Sequence, residues 1–311
     1  MYSVPYEIIV ASKPFRFVVG PDKNEFFMHA EVVARMSRPL RALVNGEWKE
    51  SKGCLVEWPE IDVGTFVRFF EYAYTADYKA AEPFFENPPT PPELENDELS
   101  ETPTKEPLEE PIQEPIQEPG PNQEPEPIPE PIHDLPDPWG SLLLGGIKKK
   151  KHKKCSHQCS TSKKDVMWSE FQKGVISGLP PLSLGARDLL RNTDPLANYS
   201  EVFLSHARLY ALADCYAIDG LINLCIGKLH STLTVFDLHG GTRATDVVQL
   251  VDFSYKNTRS DSVGQDKLRS LLAAYTACHI EELWPDICFQ DVLESGDVSK
   301  AIIGQLLKRV D

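Results

Sequence analysis

Four side chains that bind metals well crowd into one eight-residue stretch of the chain. They are His152, Cys155, His157 and Cys159, whose imidazole and thiolate groups are common zinc ligands. Their His-x2-Cys-x-His-x-Cys spacing matches no standard zinc finger, and the surrounding composition is typical of disorder. We therefore expect neither a metal nor another cofactor to bind here.

A run of lysines overlaps this stretch. Six of seven consecutive residues are lysines, a density of positive charge that is typical of a nuclear import signal. A nucleic-acid patch is less favoured, because no aromatic residues interleave with the lysines to stack bases. A solvated charge block, folded back on an acidic neighbour, also remains open. The candidate import signal comprises Lys148, Lys149, Lys150, Lys151, Lys153 and Lys154.

Motifs for catalysis are missing from the sequence. The chain has no phosphate loop, no dinucleotide-binding glycine pattern, no Gly-x-Ser-x-Gly elbow and no His-Glu-x-x-His helix. His29-Ala30-Glu31 resembles half of a zinc deaminase signature, but no Pro-Cys-x-x-Cys follows it. We interpret His206 as structural, and His29 as a joint residue that hydrogen-bonds backbone where a strand meets a helix. The sequence therefore indicates a protein that is not an enzyme.

The negative charge of the chain is local. The formal net charge is −15, yet residues 82–140 alone hold fourteen Glu and three Asp against one Lys. The same window holds seventeen of the twenty-six prolines, which remove backbone donors every few residues. Because large apolar side chains are scarce there, we predict a disordered, extended segment. It is either a spacer or an acidic docking segment anchored by Leu135, Trp139 and Leu142 to Leu144.

Ordered structure is predicted on both sides of that window, beginning with residues 15–78. Phe15, Phe17 and Val19 recur at the two-residue period of a half-buried strand. Ser37 and Asp62 stand where helix N-caps are expected. In order, the periods predict strands at 15–19 and 25–28, short helices from His29 and Ser37, a strand at 55–58, and a helix after Asp62.

The order of these elements and the residues at their joints resemble a BTB/POZ domain. The shared landmarks are Val19-Gly20, His29, Ser37, Glu50-Ser51 and Phe70-Glu71-Tyr72-Ala73-Tyr74-Thr75. The resemblance implies an α+β fold, in which a small sheet is flanked by helices, and a role in protein–protein interaction. Lys13-Pro14 stands where the family usually has Ser-Asp, so the charged pocket formed by that aspartate in many BTB dimers is not implied.

A second ordered stretch, residues 199–235, looks like the helical hairpin that closes a BTB domain. Its apolar spacing predicts two helices with a break at Asp219-Gly220. More than a hundred residues separate the hairpin from Thr75, so we predict one domain interrupted by an insertion. Closing such a loop costs on the order of 3 kcal/mol, which a domain tolerates. Two separate domains are the alternative.

The remaining chain is predicted to be helical to its end. Tyr255-Lys256-Asn257-Thr258 and Asp266-Lys267-Leu268-Arg269 are similar to the helical extension of BTB proteins from filamentous fungi. The predicted organisation is therefore a first part of the BTB domain at 1–80, a disordered acidic and then Lys-rich insertion at 81–165, closing helices at 166–235, and a helical extension at 236–311.

Cysteine use and hydropathy indicate the compartment. Seven scattered cysteines, an odd number, favour reduced thiols in an intracellular protein over a disulfide framework. We see no signal peptide and no apolar run long enough to cross a membrane. The expected location is the nucleus or the cytoplasm, without membrane attachment.

Two functions fit these observations. The first is a protein-interaction scaffold that self-associates or grips a protein partner. The second is a substrate adaptor for a cullin-type ubiquitin ligase, although no substrate-reading repeat is visible. In the family, the first helix and a preceding strand commonly form a two-fold interface; the spacing here equally permits the helix to face its own core. The predicted homodimer interface comprises Ile8, Ile9 and Val10 as an exchanged strand, with Val32, Val33 and Met36.

Overall fold

The computed structural model describes residues 5–46, 52–85, 162–174, 191–259 and 266–310. These residues form a mixed α+β structure that is mostly helical and contains a small sheet. All of them belong to one compact unit. The acidic window, the lysine run and the His/Cys cluster lie outside the described residues, so the predictions made for them stay predictions.

A three-stranded sheet forms the N-terminal part. Strands β1 (Pro14–Val19) and β2 (Asn24–His29) are antiparallel, and β3 (Leu55–Trp58) runs parallel to β1. The strand order is β2-β1-β3, which leaves β2 and β3 as edges. Phe15, Phe17 and Val19 all point into the core, as their alternation predicts.

Helices lie around this sheet, and four of them fall wholly within the described residues. They are α1 (Tyr6–Ala11), α2 (Ala30–Ala34), α3 (Arg38–Asn45) and α4 (Val63–Thr75). The predicted caps are confirmed: Ser37 Oγ accepts from the Leu40 N–H at 3.2 Å, and Asp62 Oδ1 accepts from the Thr65 N–H at 2.8 Å. Each cap satisfies a backbone donor that the first helical turn leaves unpaired.

The described residues after position 161 are mostly helical. Short strands β4 (Phe84–Phe85) and β5 (Ala197–Asn198) pair with each other. The helices are α5 (Lys163–Gln172), α6 (Ser200–Cys215), α7 (Asp219–Val235), α8 (Ala244–Asn257), α9 (Lys267–Cys278), α10 (Ile280–Leu283), α11 (Ile287–Leu293) and α12 (Gly296–Val310). The break predicted at Asp219-Gly220 lies slightly earlier, at residues 216–218, because Asp219 already belongs to the first turn of α7.

One hydrophobic core includes residues from both sides of the acidic window. The rings of Phe17, Phe66 and Phe69 pack against the indole of Trp58. Tyr216, which follows α6, packs against the same indole at 4.9 Å between ring centroids. The sheet and the later helices therefore stabilise each other directly.

Candidate functional site

The predicted interface residues divide into buried and exposed groups. Val32 and Val33 of α2 and the following Met36 are buried in the protein's own core. Ile9 is buried as well, beside them. Burial leaves these four side chains unavailable to a second chain in this conformation, which corrects that part of the predicted interface.

The exchanged strand predicted at residues 8–10 is wrong, because this segment is part of helix α1. The Pro5 carbonyl accepts from the Ile8 and Ile9 N–H groups at 3.1 and 3.3 Å. At the other end, Ser12 Oγ donates to the Ile9 carbonyl at 2.7 Å. The local hydrogen bonds of a helix therefore replace the ladder of a strand.

Helix α1 exposes three large apolar side chains: Tyr6, Ile8 and Val10 are 78 %, 50 % and 72 % exposed. Tyr6 and Val10 lie one turn apart and share one side of the helix, which we call the α1 surface. Ile8 is two residues from each of them, so it faces away from this surface. Sequence reasoning missed Tyr6, although its four-residue spacing from Val10 is a helical signal.

The α1 surface is held in place from the opposite side of the helix. The Glu31 N–H donates to Ser12 Oγ at 3.4 Å, and the Ala30 N–H donates to the Lys13 carbonyl at 3.0 Å. Ile9 adds apolar packing against the core. These contacts position α1 against the start of α2, so Tyr6 and Val10 form a fixed patch.

An edge of the sheet also exposes an apolar ring. Phe27 of β2 is 57 % exposed and pairs with Arg16, which forms an ion pair with Glu25 at 3.2 Å. Among the described strands β2 is an edge strand, and an edge strand can pair with another extended chain through its outer backbone groups. The arrangement suits protein contacts through main chain and through an aromatic anchor.

His29 lies at the junction of β2 and α2, where the sequence places a joint. Its backbone N–H donates to the Tyr74 hydroxyl at 3.1 Å, and its Nδ1 lies 2.9 Å from the same oxygen. The imidazole thus contacts a side chain of α4 instead of the backbone that we expected. The contact ties the edge of the sheet to α4.

His206 lies deep in the molecule, in contact with Tyr78. Its Nδ1 is 2.7 Å from the Tyr78 hydroxyl, and the side chain is almost fully buried. Burial, together with the positive charges of Lys228 and Arg68, lowers the pKa of His206 to about 3. The imidazole is therefore neutral at physiological pH and inaccessible to a substrate.

Residues 77–81 dock on α6 and α7 through a set of hydrogen bonds that we call the Tyr78 seam. Lys228 Nζ donates to the Tyr78 carbonyl and pairs with the Asp77 carboxylate, both at 2.6 Å. The Ala81 N–H donates to Ser205 Oγ at 3.2 Å.

The Tyr78 seam also contains a buried thiol. Cys225 hydrogen-bonds the Tyr78 hydroxyl, and burial raises the pKa of its thiol to about 12. A thiol in this state is a poor nucleophile. We conclude that the seam joins two parts of the chain and carries no reactive group.

Two further observations concern function. Among the residues that the structure describes, no three His, Cys, Asp or Glu side chains are arranged to hold a metal ion. In the same part of the chain, no helix has the length and apolar character needed to cross a membrane.

Comparison with known proteins adds nothing to this geometry. No family model, curated protein or solved structure matches the chain. The BTB/POZ resemblance therefore stays a prediction from the sequence.

Proposed function

We propose that the protein is an interaction scaffold, in which a BTB/POZ-type domain interrupted by the insertion binds a second copy of the chain through the α1 surface. The observation that carries the proposal is the exposure of Tyr6 and Val10 on one side of a helix that is fixed from behind. Isolated exposed hydrophobic residues are ordinary, but neighbouring ones held in fixed positions are typical of an interaction site.

The energetics favour a weak homodimer. Burying a large apolar side chain contributes roughly 1.5–3 kcal/mol, and a two-fold axis uses each of the two side chains, Tyr6 and Val10, twice. The sum is on the order of 10 kcal/mol, which is comparable with the roughly 4–15 kcal/mol that association costs. We therefore expect a reversible dimer in the micromolar range or weaker.

The BTB/POZ assignment has its own support. The sheet with its mixed strand directions, the short helices α2 and α3, and the closing pair α6 and α7 follow the order that the resemblance implies. The closing pair also shares one core with the sheet. The candidate nuclear import signal, Lys148 to Lys154, would bring such a scaffold into the nucleus.

Light scattering of the full chain over a range of concentrations tests the dimer. We expect the molar mass to rise toward twice the chain mass, and we expect Tyr6→Ser with Val10→Ser to keep the protein monomeric. Phe27→Ser is the matched control, since it removes a similarly exposed ring elsewhere and leaves the dimer intact. A monomer at every concentration, or a dimer that ignores the double substitution, contradicts the proposal.

Affinity purification from a native extract separates the scaffold from the adaptor. A scaffold brings down its own second copy, which a differently tagged chain reveals. Recovery of a cullin with the wild-type chain would instead favour the ubiquitin-ligase adaptor.

A further inference from the structure

Helix α5 sits in a groove on the C-terminal helices. It buries Met167 and Phe171, and it half-buries Trp168 between them. The groove is lined by residues of α7, α9 and α10 and by the junction between α9 and α10. We call this site the α5 groove. The lining residues used below are His230, Tyr275, His279 and Glu281.

The contacts in the α5 groove are mainly between rings. Trp168 and Phe171 stack on each other at 5.4 Å with planes only 10° apart. The edge of Trp168 meets His279 at 4.8 Å. Phe171 lies 4.9 Å from His230 and 5.6 Å from Tyr275. The groove therefore accepts a flat pair of aromatic side chains spaced three residues apart on a helix.

Two polar contacts fix the direction of the helix. Lys164 Nζ pairs with Glu281 at 3.1 Å near the start of α5. Near its end, His230 Nε2 lies 2.7 Å from the Phe171 carbonyl, which also accepts from the Gly174 N–H at 2.9 Å. Lys164, Trp168 and Phe171 follow i, i+4, i+7 spacing, so one helix face carries the whole pattern.

The α5 groove also contains buried polar atoms to which α5 makes no hydrogen bond. The Tyr275 hydroxyl and His279 Nε2 are buried and have no hydrogen-bond partner among the described residues. A buried polar atom without a partner is costly, so the fit between α5 and its groove is incomplete.

Helix α5 depends on its groove for stability. Its contacts are made through side chains and helix ends. An isolated ten-residue helix is only marginally stable in water, so α5 needs its contacts with the groove to stay helical. The helices that form the groove are separate elements of the chain.

We propose that the α5 groove is a binding site for an amphipathic helix of a partner protein, and that α5 is the built-in competitor for it. The ligand is a helix with the pattern Lys-x3-Trp-x2-Phe, in which the lysine pairs with Glu281 and the two rings fill the space now taken by Trp168 and Phe171. This site is distinct from the α1 surface and does not depend on it.

Tethering gives α5 an advantage over a free ligand. Because α5 belongs to the same chain as the groove, its binding is intramolecular, and a free helix must compete with it. A partner helix with the same contacts therefore binds the wild-type protein ~10-fold or more weakly than a protein whose groove is empty. Any event that draws α5 away opens the site.

A labelled peptide that spans residues 162–174 tests the proposal by fluorescence anisotropy with the full-length chain. The variant Trp168→Ala with Phe171→Ala empties the groove, and we expect it to bind the peptide ~10-fold or more tightly than wild type does. A peptide carrying the same two alanines is the control and should not bind either protein.

A charge exchange identifies the site. Glu281→Lys, introduced into the emptied-groove variant, should weaken binding of the wild-type peptide. A peptide with Lys164→Glu should bind this Glu281→Lys protein more tightly than the wild-type peptide does. Equal binding to wild type and emptied-groove variant, binding to neither, or no response to the charge exchange overturns the proposal. Loss of cooperative unfolding in the emptied-groove variant also overturns it, because α5 would then be an integral part of the core.

Discussion

The Tyr78 seam and the α5 groove both attach a piece of chain to the C-terminal helices, but they do so by different chemistry. In the seam, the Tyr78 hydroxyl, the His206 imidazole and the Lys228 ammonium all have partners at 2.6–2.7 Å. In the groove, stacked rings supply the contact while two buried polar atoms stay without partners among the described residues.

The difference teaches which attachment is permanent. A buried hydrogen-bond network that is fully satisfied is costly to open, because each group would lose its partner at once. Apolar stacking with unsatisfied atoms beneath it has less to lose and accepts a substitute ligand. We therefore interpret the Tyr78 seam as part of the fold and α5 as an exchangeable occupant.

The largest expected effect that separates the two regions is the pH dependence conferred by His206. Its pKa in the folded protein is about 3, below its ordinary value of 6.5, so protons bind the unfolded chain first as the pH falls. Stability that is fully present above pH 6.5 is then lost at about 1.4 kcal/mol per pH unit, or about 3 kcal/mol by pH 4.5.

Urea unfolding at several pH values measures this loss. His206→Gln stays neutral, so the difference between wild type and variant isolates the histidine from carboxylates that titrate in both. His279→Gln is the comparison from the α5 groove. Burial lowers the pKa of His279 too, but Glu282 opposes the shift, so its effect should be smaller. If the unfolding free energies of wild type and His206→Gln change in parallel with pH, His206 does not have the lowered pKa of a buried neutral imidazole.

Removal of one hydroxyl from each region should have opposite results. Tyr78→Phe leaves His206 and Cys225 without their shared partner and should cost about 2 kcal/mol of unfolding free energy. Tyr275→Phe removes a buried hydroxyl that has no partner among the described residues, so the change should be neutral or stabilise by up to about 1 kcal/mol. Chemical denaturation measures the unfolding free energy of both variants. Equal losses of unfolding free energy would contradict the difference between the seam and the groove.

A smaller effect tests how closely α4 and α7 pack beside the seam. A methyl group at Gly220 would come within 2.6 Å of the Tyr72 hydroxyl, so Gly220→Ala should destabilise by about 1 kcal/mol despite better helix propensity. Gly304→Ala in α12 is the control, because nothing lies within 4 Å of the added methyl group; it should stabilise by about 0.5–1 kcal/mol. Thermal unfolding compares the two, and a stabilising Gly220→Ala would show that this contact is loose.

Local signals in the sequence predicted much of the fold. The alternation in β1 and the caps at Ser37 and Asp62 act over three or four residues, so they are readable without tertiary information. Ile8 to Val10 misled, because consecutive β-branched residues favour a strand while Ile9 gains more by packing in the core from a helix.

The contacts that matter most here could not be predicted in the same way. Tyr78 and His206 are 128 positions apart, and neither belongs to a motif.

The break before α7 was misplaced because Asp-Gly is common at turns, whereas Asp219 lies in the first turn of a helix, where an acidic side chain is favoured. Trp168 and Phe171 fall within the closing helices predicted at 166–235, but the groove that receives them is built from three other helices.

Native-state hydrogen exchange on the full chain tests the central claim, that a permanent core spans the insertion and carries a replaceable helix. We predict that amides of α4 and α6 exchange only by global unfolding, with one shared free energy. Amides of α5 should exchange through an opening that lies about 2 kcal/mol or more below it. Exchange of α5 at the global free energy, or separate free energies for α4 and α6, would contradict the claim.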